Sequence, residues 1–139
     1  MVRVMLVDAQ AVLRQGLRWE LQLEPDLDIV GEANAGAEGV ALAQLLRPDI
    51  VIMDVEMPVM DGIQAATSLH ALAPGCVVLL MTIHDGRVMS QRALAAGAHV
   101  LLEKGNPALF RATLHDLVQL VKARNTPAWP ESTIDGETH

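Results

Sequence analysis

Five short apolar runs alternate along the chain with longer segments of helical periodicity, and this alternation constrains the fold more than any other feature. The runs are rich in Val, Ile and Leu and lack polar alternation, which is typical of strands buried on both faces. They lie at Val2–Val7, Asp28–Ala33, Ile50–Met53, Val77–Met81 and Ala98–Leu102. Between them apolar residues recur three and four positions apart, as on one face of a helix. The pattern therefore predicts strand then helix, five times.

Such an order predicts an α/β fold with a doubly wound, five-stranded parallel sheet, covered by helices on both faces and joined by right-handed crossovers. Turn-forming residues fall between the predicted elements, at Pro25, Pro48, Pro74 and Gly97. The pattern stops near Asn125, so we expect residues 1–124 to form the domain. Residues 125–139 carry three acids and no Lys or Arg, and we expect a linker or disordered tail leading to an output domain beyond this sequence.

Composition excludes several classes of protein. The 139 residues have a net charge of −7, whereas a nucleic-acid surface is usually basic. Aromatic residues make up 2%, which argues against base-stacking platforms. The single cysteine, Cys76, cannot form an internal disulfide and is expected to be a small buried apolar residue. No apolar segment approaches the length of a membrane helix or a signal peptide. We therefore expect a cytoplasmic protein that contacts neither nucleic acid nor membrane through this segment.

Polar or charged residues follow four of the predicted strands. Asp8 ends the first, Asp54 the third, Thr82 the fourth and Lys104 the fifth. Because the carboxyl ends of parallel strands share one edge of the sheet, where such folds place their function, we expect these four side chains to form one cluster. Two carboxylates suit Mg²⁺, and a lysine can bind a phosphoryl oxygen as a point charge. Together these groups can also turn an aspartate into a phosphoryl acceptor.

Four stretches resemble the receiver domain of two-component response regulators. They are Val4–Asp8, Arg47–Gly62, Leu79–Thr82 and Gly97–Lys104. The block Met-Asp-x-x-Met-Pro-x-Met-Asp-Gly at 53–62 is highly specific, and the resemblance covers residues 2–123. It implies a flavodoxin-like (βα)5 fold with strand order 2-1-3-4-5.

Two further segments, Val12–Leu17 and Glu24–Ala33, resemble the subfamily whose receivers precede a C-terminal LuxR/NarL-type helix-turn-helix domain. This resemblance implies a regulatory domain of a transcription regulator and not an enzyme, apart from self-catalysed phosphoryl transfer and dephosphorylation. The switch is implied to act through the face of the fourth helix, fifth strand and fifth helix. That face would form a homodimer or release the output domain.

The resemblance also implies a role for each residue of the cluster. Asp54 is implied to accept a phosphoryl group from a sensor histidine kinase. Asp8, Asp54 and the backbone carbonyl of Glu56 are implied to hold Mg²⁺. Thr82 is implied to hydrogen-bond the phosphoryl group and draw its loop inward, while Lys104 pairs with a phosphoryl oxygen.

The chain departs from the family pattern at two positions. Ala9 stands in the second place of the acidic pair, normally a direct metal ligand, so we expect weakened Mg²⁺ binding. The side chain of Glu56 is an alternative ligand there. Leu101 stands where the family commonly has an aromatic side chain that swings when the threonine moves.

Three other functions stay open. Ala9 could make this a degenerate receiver, a phosphate-independent interaction or dimerisation module. The pair Asp54 and Glu56 resembles the paired acids of a small phosphohydrolase, although such enzymes usually carry the nucleophile on the first strand. A flavin-binding protein fits the fold class, but no phosphate-cradling glycine loop follows the first strand.

Overall fold

The computed structural model describes residues 1–131, and within them five strands alternate with five helices. The strands are β1 (Val2–Val7), β2 (Leu27–Ala33), β3 (Ile50–Asp54), β4 (Val77–Thr82) and β5 (Val100–Glu103). The helices are α1 (Ala11–Leu21), α2 (Gly36–Leu46), α3 (Gly62–Leu72), α4 (Gly86–Ala95) and α5 (Pro107–Lys122). No helix within this part of the chain combines the length and hydropathy needed to cross a bilayer.

All neighbouring strands are parallel, in the order β2-β1-β3-β4-β5. The predicted doubly wound fold and its strand order are therefore confirmed. The chain begins at β1, moves out to β2 and then crosses back to β3, so the direction of winding reverses between β1 and β3. The loops that follow these two strands part at this reversal, and the resulting crevice is where open α/β sheets bind their ligands.

The sheet separates two apolar layers, as the unalternating strands predict. One layer packs under α2, α3 and α4 and contains Met5, Met53 and Leu80 of the strands. The other packs under α1 and α5, with Leu6, Ile52 and their neighbours against α5. Methionine fills space in both layers that aromatic side chains would otherwise occupy, because its unbranched side chain adapts to irregular gaps.

Local sequence signals fix the starts of the helices near the site. Asp61 and Gln64 form a reciprocal capping box at the start of α3. Asn106 caps α5, whose first residue is Pro107, and Pro is favoured there because its missing N–H would be unpaired anyway. These caps hold the loops that follow β3 and β5 in a defined position.

The strand boundaries differ slightly from the predicted ones. The third and fourth strands extend by one residue to include Asp54 and Thr82, so both functional candidates are held by the sheet's hydrogen bonds. The fifth strand begins at Val100, two residues late. Gly97 has a φ of 98°, and the Ala98 N–H donates to the Ala93 carbonyl, so this stretch terminates α4 instead of starting the strand.

The predicted linker or tail at 125–139 is wrong for residues 125–131. Trp129 is 8% exposed, lies in the layer beneath α3, and donates its indole N–H to the Pro48 carbonyl at 2.7 Å. The Arg47 side chain donates to the Pro130 carbonyl at 3.2 Å. Burying a large ring and satisfying its N–H outweighs the polar composition of the segment. The rest of the predicted tail, residues 132–139, lies outside the described residues.

We call residues 125–131 the C-terminal strap. It crosses the amino ends of β3 and β4, the edge of the sheet opposite the carboxyl ends. A Cβ on Gly75 would stand 2.8 Å from the Ala128 carbonyl oxygen, so a glycine is needed there to let the strap approach. The Arg124 guanidinium also donates to the Gly75 carbonyl.

Candidate functional site

The carboxyl ends of the sheet gather Asp8, Asp54, Thr82 and Lys104 into one cluster. Asp8 is 2%, Asp54 7% and Thr82 0% exposed, and they are the only polar or charged side chains buried within residues 1–131. Burying a polar group is costly unless it is hydrogen-bonded or paired, so a folded chain keeps such groups only where each has a partner. Lys104 pairs with both carboxylates, while the Thr82 hydroxyl is hydrogen-bonded outside the cluster, to Glu56 and His84.

Lys104 bridges the two carboxylates. Its Nζ lies 3.3 Å from Asp8 Oδ2 and 3.0 Å from Asp54 Oδ1. The backbone N–H of Lys104 donates to the Thr82 carbonyl at 2.8 Å, which holds this residue beside β4 just after β5 ends. One ammonium against two carboxylates leaves the cluster with an excess of one negative charge.

Asp8 is held rigidly. Its Oδ1 accepts the Gln10 N–H at 2.9 Å, and its carbonyl accepts a hydrogen bond from the Arg14 guanidinium at 2.5 Å. The neighbouring Ala9 is exposed and brings no oxygen to the site. Sequence reasoning named Asp8 but had no signal for Arg14, whose side chain reaches back one turn of α1.

Asp54 experiences opposing influences. Burial raises the pKa of its carboxyl group, the hydrogen bond and charge of Lys104 lower that pKa, and the nearby Asp8 charge raises it; the net direction is upward. Oδ1 accepts the Glu56 N–H at 3.3 Å and pairs with Lys104. Within residues 1–131 no hydrogen bond or ion pair engages Oδ2.

The loop between β3 and α3 closes tightly around Asp54. A Cβ on Gly62 would lie 2.3 Å from the Asp54 carbonyl oxygen, so only glycine fits at the start of α3. The Gly62 N–H donates to the Val55 carbonyl at 2.9 Å. Val59 has a φ of 70° and is fully exposed at the tip of this loop.

The side chain of Glu56 does not turn toward the position left empty by Ala9. Its Oε2 accepts the Thr82 hydroxyl at 2.8 Å, and its Oε1 accepts the Ile83 N–H at 2.9 Å. The suggestion that this carboxylate replaces the missing metal ligand is therefore wrong for this conformation. Spacing along the sequence holds no signal for the contact, because it depends on the rotamer of a side chain in a loop.

The oxygen donors partly fit Mg²⁺. Asp8, Asp54 and the carbonyl of Glu56 would provide two carboxylates and one neutral oxygen, and Mg²⁺ in proteins commonly takes one or two carboxylates together with water and phosphate oxygens. No hydrogen bond to the Glu56 carbonyl oxygen is found in the described part of the chain. Residues 1–131 contain no group of three or more His, Cys, Asp or Glu side chains placed to hold a metal ion. The donor set therefore fits Mg²⁺ only in part, with two carboxylates and one carbonyl oxygen.

Leu101 lies on β5, on the side of the sheet that faces α4. It is partly buried against the apolar layer beneath α2, α3 and α4. Its Cδ2 would be 3.8 Å from a Cβ built on Gly86, at the start of α4. The leucine side chain has no polar atom and so forms no hydrogen bond.

A cavity of about 320 Å³ opens beside the cluster, between α1 and the start of α5. Asp8 and Lys104 form its polar end, and Leu13, Leu17 and Phe110 line its apolar wall.

The geometry agrees with comparisons to known proteins. The sequence profile of the response regulator receiver domain matches residues 4–117. The chain is 40% identical over 133 residues to a protein-glutamate methylesterase/protein-glutamine glutaminase of Anaeromyxobacter dehalogenans, which covers 92% of this chain and 39% of that protein.

The chain is also similar to a transcriptional regulatory protein and to a solved receiver domain. The transcriptional regulatory protein LiaR of Bacillus subtilis is 39% identical over 110 residues, 78% of this chain and 51% of that protein. The chain thus spans about half or less of the length of these relatives. The signal receiver domain of the putative response regulator NarL from Mycobacterium tuberculosis superposes with a TM-score of 0.77 at 31% identity, covering 88% of this chain and 98% of that one.

Proposed function

The chain belongs to the response regulator receiver domain family, and from that premise we propose that it is a phosphorylation-dependent signalling switch in which Asp54 accepts a phosphoryl group from a sensor histidine kinase. One observation supports this proposal above all others. The Lys104 ammonium bridges Asp54 and Asp8 at 3.0 and 3.3 Å, in a pocket where Asp54 Oδ2 stays open.

In the proposed transfer, Asp54 Oδ2 attacks the phosphorus of a phosphohistidine. The new O–P bond forms as the P–N bond breaks, and the electron pair of that bond stays on the imidazole nitrogen. Lys104 would leave Asp54 Oδ1 to neutralise a phosphoryl oxygen, while Asp8 keeps its hydrogen bond from Gln10.

Asp8, Asp54 and the Glu56 carbonyl would hold Mg²⁺, which when bound neutralises phosphoryl charge. Ala9 lacks the oxygen that would complete this set, so Mg²⁺ binding should be weaker than in a receiver with two adjacent acids. The chain would act as a regulatory phosphoacceptor, and its only catalysis would be on its own acyl phosphate.

We further propose that the switch controls transcription through an output domain and a homodimer formed by α4, β5 and α5. The similarity to a transcriptional regulatory protein supports the first part. The second is supported by large apolar side chains exposed on this face, namely Val88 and Leu94 of α4 and Leu109 of α5.

Ala9 favours a second candidate, a degenerate receiver that acts as a phosphate-independent interaction module. The two candidate functions can be distinguished by measuring the extent of phosphorylation by acetyl phosphate at increasing Mg²⁺ concentration. We would compare the wild type with Ala9→Asp, using Asp54→Asn as the unlabelled control, by phosphate-affinity electrophoresis.

For the switch we expect labelling of the wild type that needs more Mg²⁺ than Ala9→Asp. Labelling confined to Ala9→Asp would establish the degenerate module instead. Labelling that persists in Asp54→Asn would show that Asp54 is not the acceptor.

A further inference from the structure

We propose that the Glu56 carboxylate is a positioning residue for the switch: it holds the Thr82 hydroxyl away from the phosphoryl site and so sets how readily the phosphorylated domain changes state. The inference rests on the proposed phosphorylation of Asp54, which it deepens. We call the contact between Glu56, Thr82 and the Ile83 N–H the threonine latch.

In the latch, each of the two oxygens of the Glu56 carboxylate accepts one hydrogen bond. Oε2 of Glu56 accepts the Thr82 hydroxyl at 2.8 Å and Oε1 accepts the Ile83 N–H at 2.9 Å, so one carboxylate spans the end of β4 and the loop that follows it. Hydrogen bonds to a charged acceptor are about twice as strong as neutral ones. Glu56 therefore fixes both the rotamer of Thr82 and the start of this loop.

The hydroxyl of Thr82 has one proton, and this limits what it can do. Its oxygen accepts the His84 N–H at 3.0 Å, while its proton is given to Glu56, with Met89 Sδ at 3.6 Å as a weak second acceptor. A hydroxyl donates only one hydrogen bond at a time. Thr82 must therefore release Glu56 before it can donate to a phosphoryl oxygen on Asp54.

Phosphorylation would itself weaken the latch. Glu56 lies two residues from Asp54, and its N–H donates to Asp54 Oδ1 at 3.3 Å. An acyl phosphate adds negative charge at that aspartate, which repels the Glu56 carboxylate. Like charges close together in a partly buried site are costly because solvent screens them less.

The latch can open without disrupting the core. Glu56 is half-buried and Ile83 is 66% exposed, so water can replace the Glu56 carboxylate as the partner of the Ile83 N–H and can hydrogen-bond the released carboxylate. The apolar residues beneath them keep their packing. The arrangement thus has two local states, and both the charge on Asp54 and the side chain at position 56 bias the choice between them.

The first experiment needs no phosphoryl group. Hydrogen exchange of the Ile83 amide, followed by NMR, would be compared in the wild type, Glu56→Ala and Glu56→Gln. A glutamine can still accept the Ile83 N–H through its carbonyl oxygen, while its NH₂ group donates to Thr82 and leaves the threonine proton free. We expect about tenfold faster exchange in Glu56→Ala than in the wild type, and exchange in Glu56→Gln within about threefold of the wild type.

The second experiment measures the affinity for beryllofluoride, a phosphoryl analogue, in the presence of MgCl₂. We expect Glu56→Ala and Glu56→Gln to bind it about five- to tenfold more tightly than the wild type, because Thr82 no longer has to break a bond. The same substitutions would be made with Thr82→Val, which lacks the hydroxyl, and with Thr82→Ser, which retains it. Thermal unfolding would verify that every variant is folded.

The threonine background separates the latch from simple charge removal. Loss of the Glu56 charge favours anion binding whether or not residue 82 carries a hydroxyl, so this part of the gain in beryllofluoride affinity should appear in all three backgrounds. Opening of the latch should add a further gain of about fivefold in the Thr82 and Thr82→Ser backgrounds, and this further gain should be absent with Thr82→Val. An equal gain in all three backgrounds would overturn the latch, as would an Ile83 amide that exchanges in Glu56→Ala as it does in the wild type. If no variant, including Ala9→Asp, binds beryllofluoride while the exchange result holds, the phosphorylation switch is overturned although the contact itself stands.

Discussion

Asp54 illustrates how one side chain can be tuned by its neighbours. Burial raises the pKa of its carboxyl group, and the hydrogen bond and charge of Lys104 oppose that rise. In its protonated form the carboxyl group is a poor nucleophile. Lys104 thus favours the ionised form of Asp54, and under the proposed function it would also pair with a phosphoryl oxygen.

The first prediction concerns the pH dependence of labelling by acetyl phosphate. The pKa of Asp54 is raised above its ordinary 3.8, so this carboxyl group becomes protonated at a higher pH than an ordinary aspartate does. As the pH is lowered, labelling should therefore begin to decline at a higher pH than it would with an unperturbed aspartate. Lys104→Met removes the group that lowers this pKa, so the decline should move to still higher pH and the maximal rate should fall.

Lys122→Met is a suitable control, because Lys122 pairs with the exposed Asp26 on the surface, away from the site. Its pH profile should match that of the wild type. A profile unchanged in Lys104→Met would contradict the role given to Lys104.

The second prediction concerns Cys76, which is 2% exposed and whose pKa is raised by burial to about 12. Iodoacetamide near pH 8 should modify this thiol only as fast as the protein opens, because the thiolate is the reactive form. In the unfolded chain the thiol ionises near 9.0, so the unfolded state gains stability as the pH rises above that value.

Between about pH 9 and 12 the free energy of unfolding of the wild type should therefore fall relative to Cys76→Ala by up to about 1.4 kcal/mol per pH unit. Urea unfolding at several pH values would measure this difference. Two parallel curves would mean that the thiol is not buried as described.

Among the secondary structure elements, the C-terminal strap shows that an irregular segment can belong to the core. It has no regular secondary structure, yet Trp129 is as buried as several residues of the strands and helices. The strap contacts Pro48 through Trp129 and lies close to Gly75 through Ala128, and these two positions precede β3 and β4. It therefore ties together the starts of the two strands whose other ends carry Asp54 and Thr82.

The third prediction follows from this packing. Trp129→Ala should reduce the free energy of unfolding by about 3–5 kcal/mol, because it removes a buried ring and leaves the Pro48 carbonyl without its donor. Trp19→Ala is the matched control: Trp19 is 64% exposed on α1, and its loss should change stability by less than about 0.5 kcal/mol. Denaturant unfolding followed by circular dichroism would measure both. Similar losses in the two variants would contradict the burial of Trp129.

For the domain as a whole, the strap moves the boundary of the folded unit. The site lies at the carboxyl edge of the sheet and the strap at the amino edge, so the described part of the chain ends at the edge opposite Asp54.

The fourth prediction tests this boundary with two truncated chains. A chain of residues 1–131 should unfold at the same temperature as the full sequence, because it retains every contact described for the strap. A chain of residues 1–124 exposes the apolar surface beneath Trp129 and should unfold at a temperature lower by about 10 °C or more. Equal unfolding temperatures for the two truncated chains would show that the folded domain ends at residue 124 and that the strap does not contribute to its stability.

Local pattern was enough to predict the sheet, because the strands buried on both faces are short unalternating apolar runs, whereas the segments between them are longer and show apolar spacings of three and four residues. The same reasoning placed Asp8, Asp54, Thr82 and Lys104 at one edge, since parallel strands end together. It failed at Trp129, where the surrounding Pro, Ser and Thr residues are typical of a linker. A single large ring can reverse such a prediction when the fold provides a site for it.

The sequence alone thus determined the order of elements, the winding of the sheet and the edge at which the charged residues meet. These features depend on periodicity and on strand direction, which neighbouring residues along the chain specify. The partner of Glu56, the bridge made by Lys104 and the burial of Trp129 were settled by folding. Each joins segments 26 to 96 residues apart, and whether two such side chains meet depends on rotamers and on the packing around them.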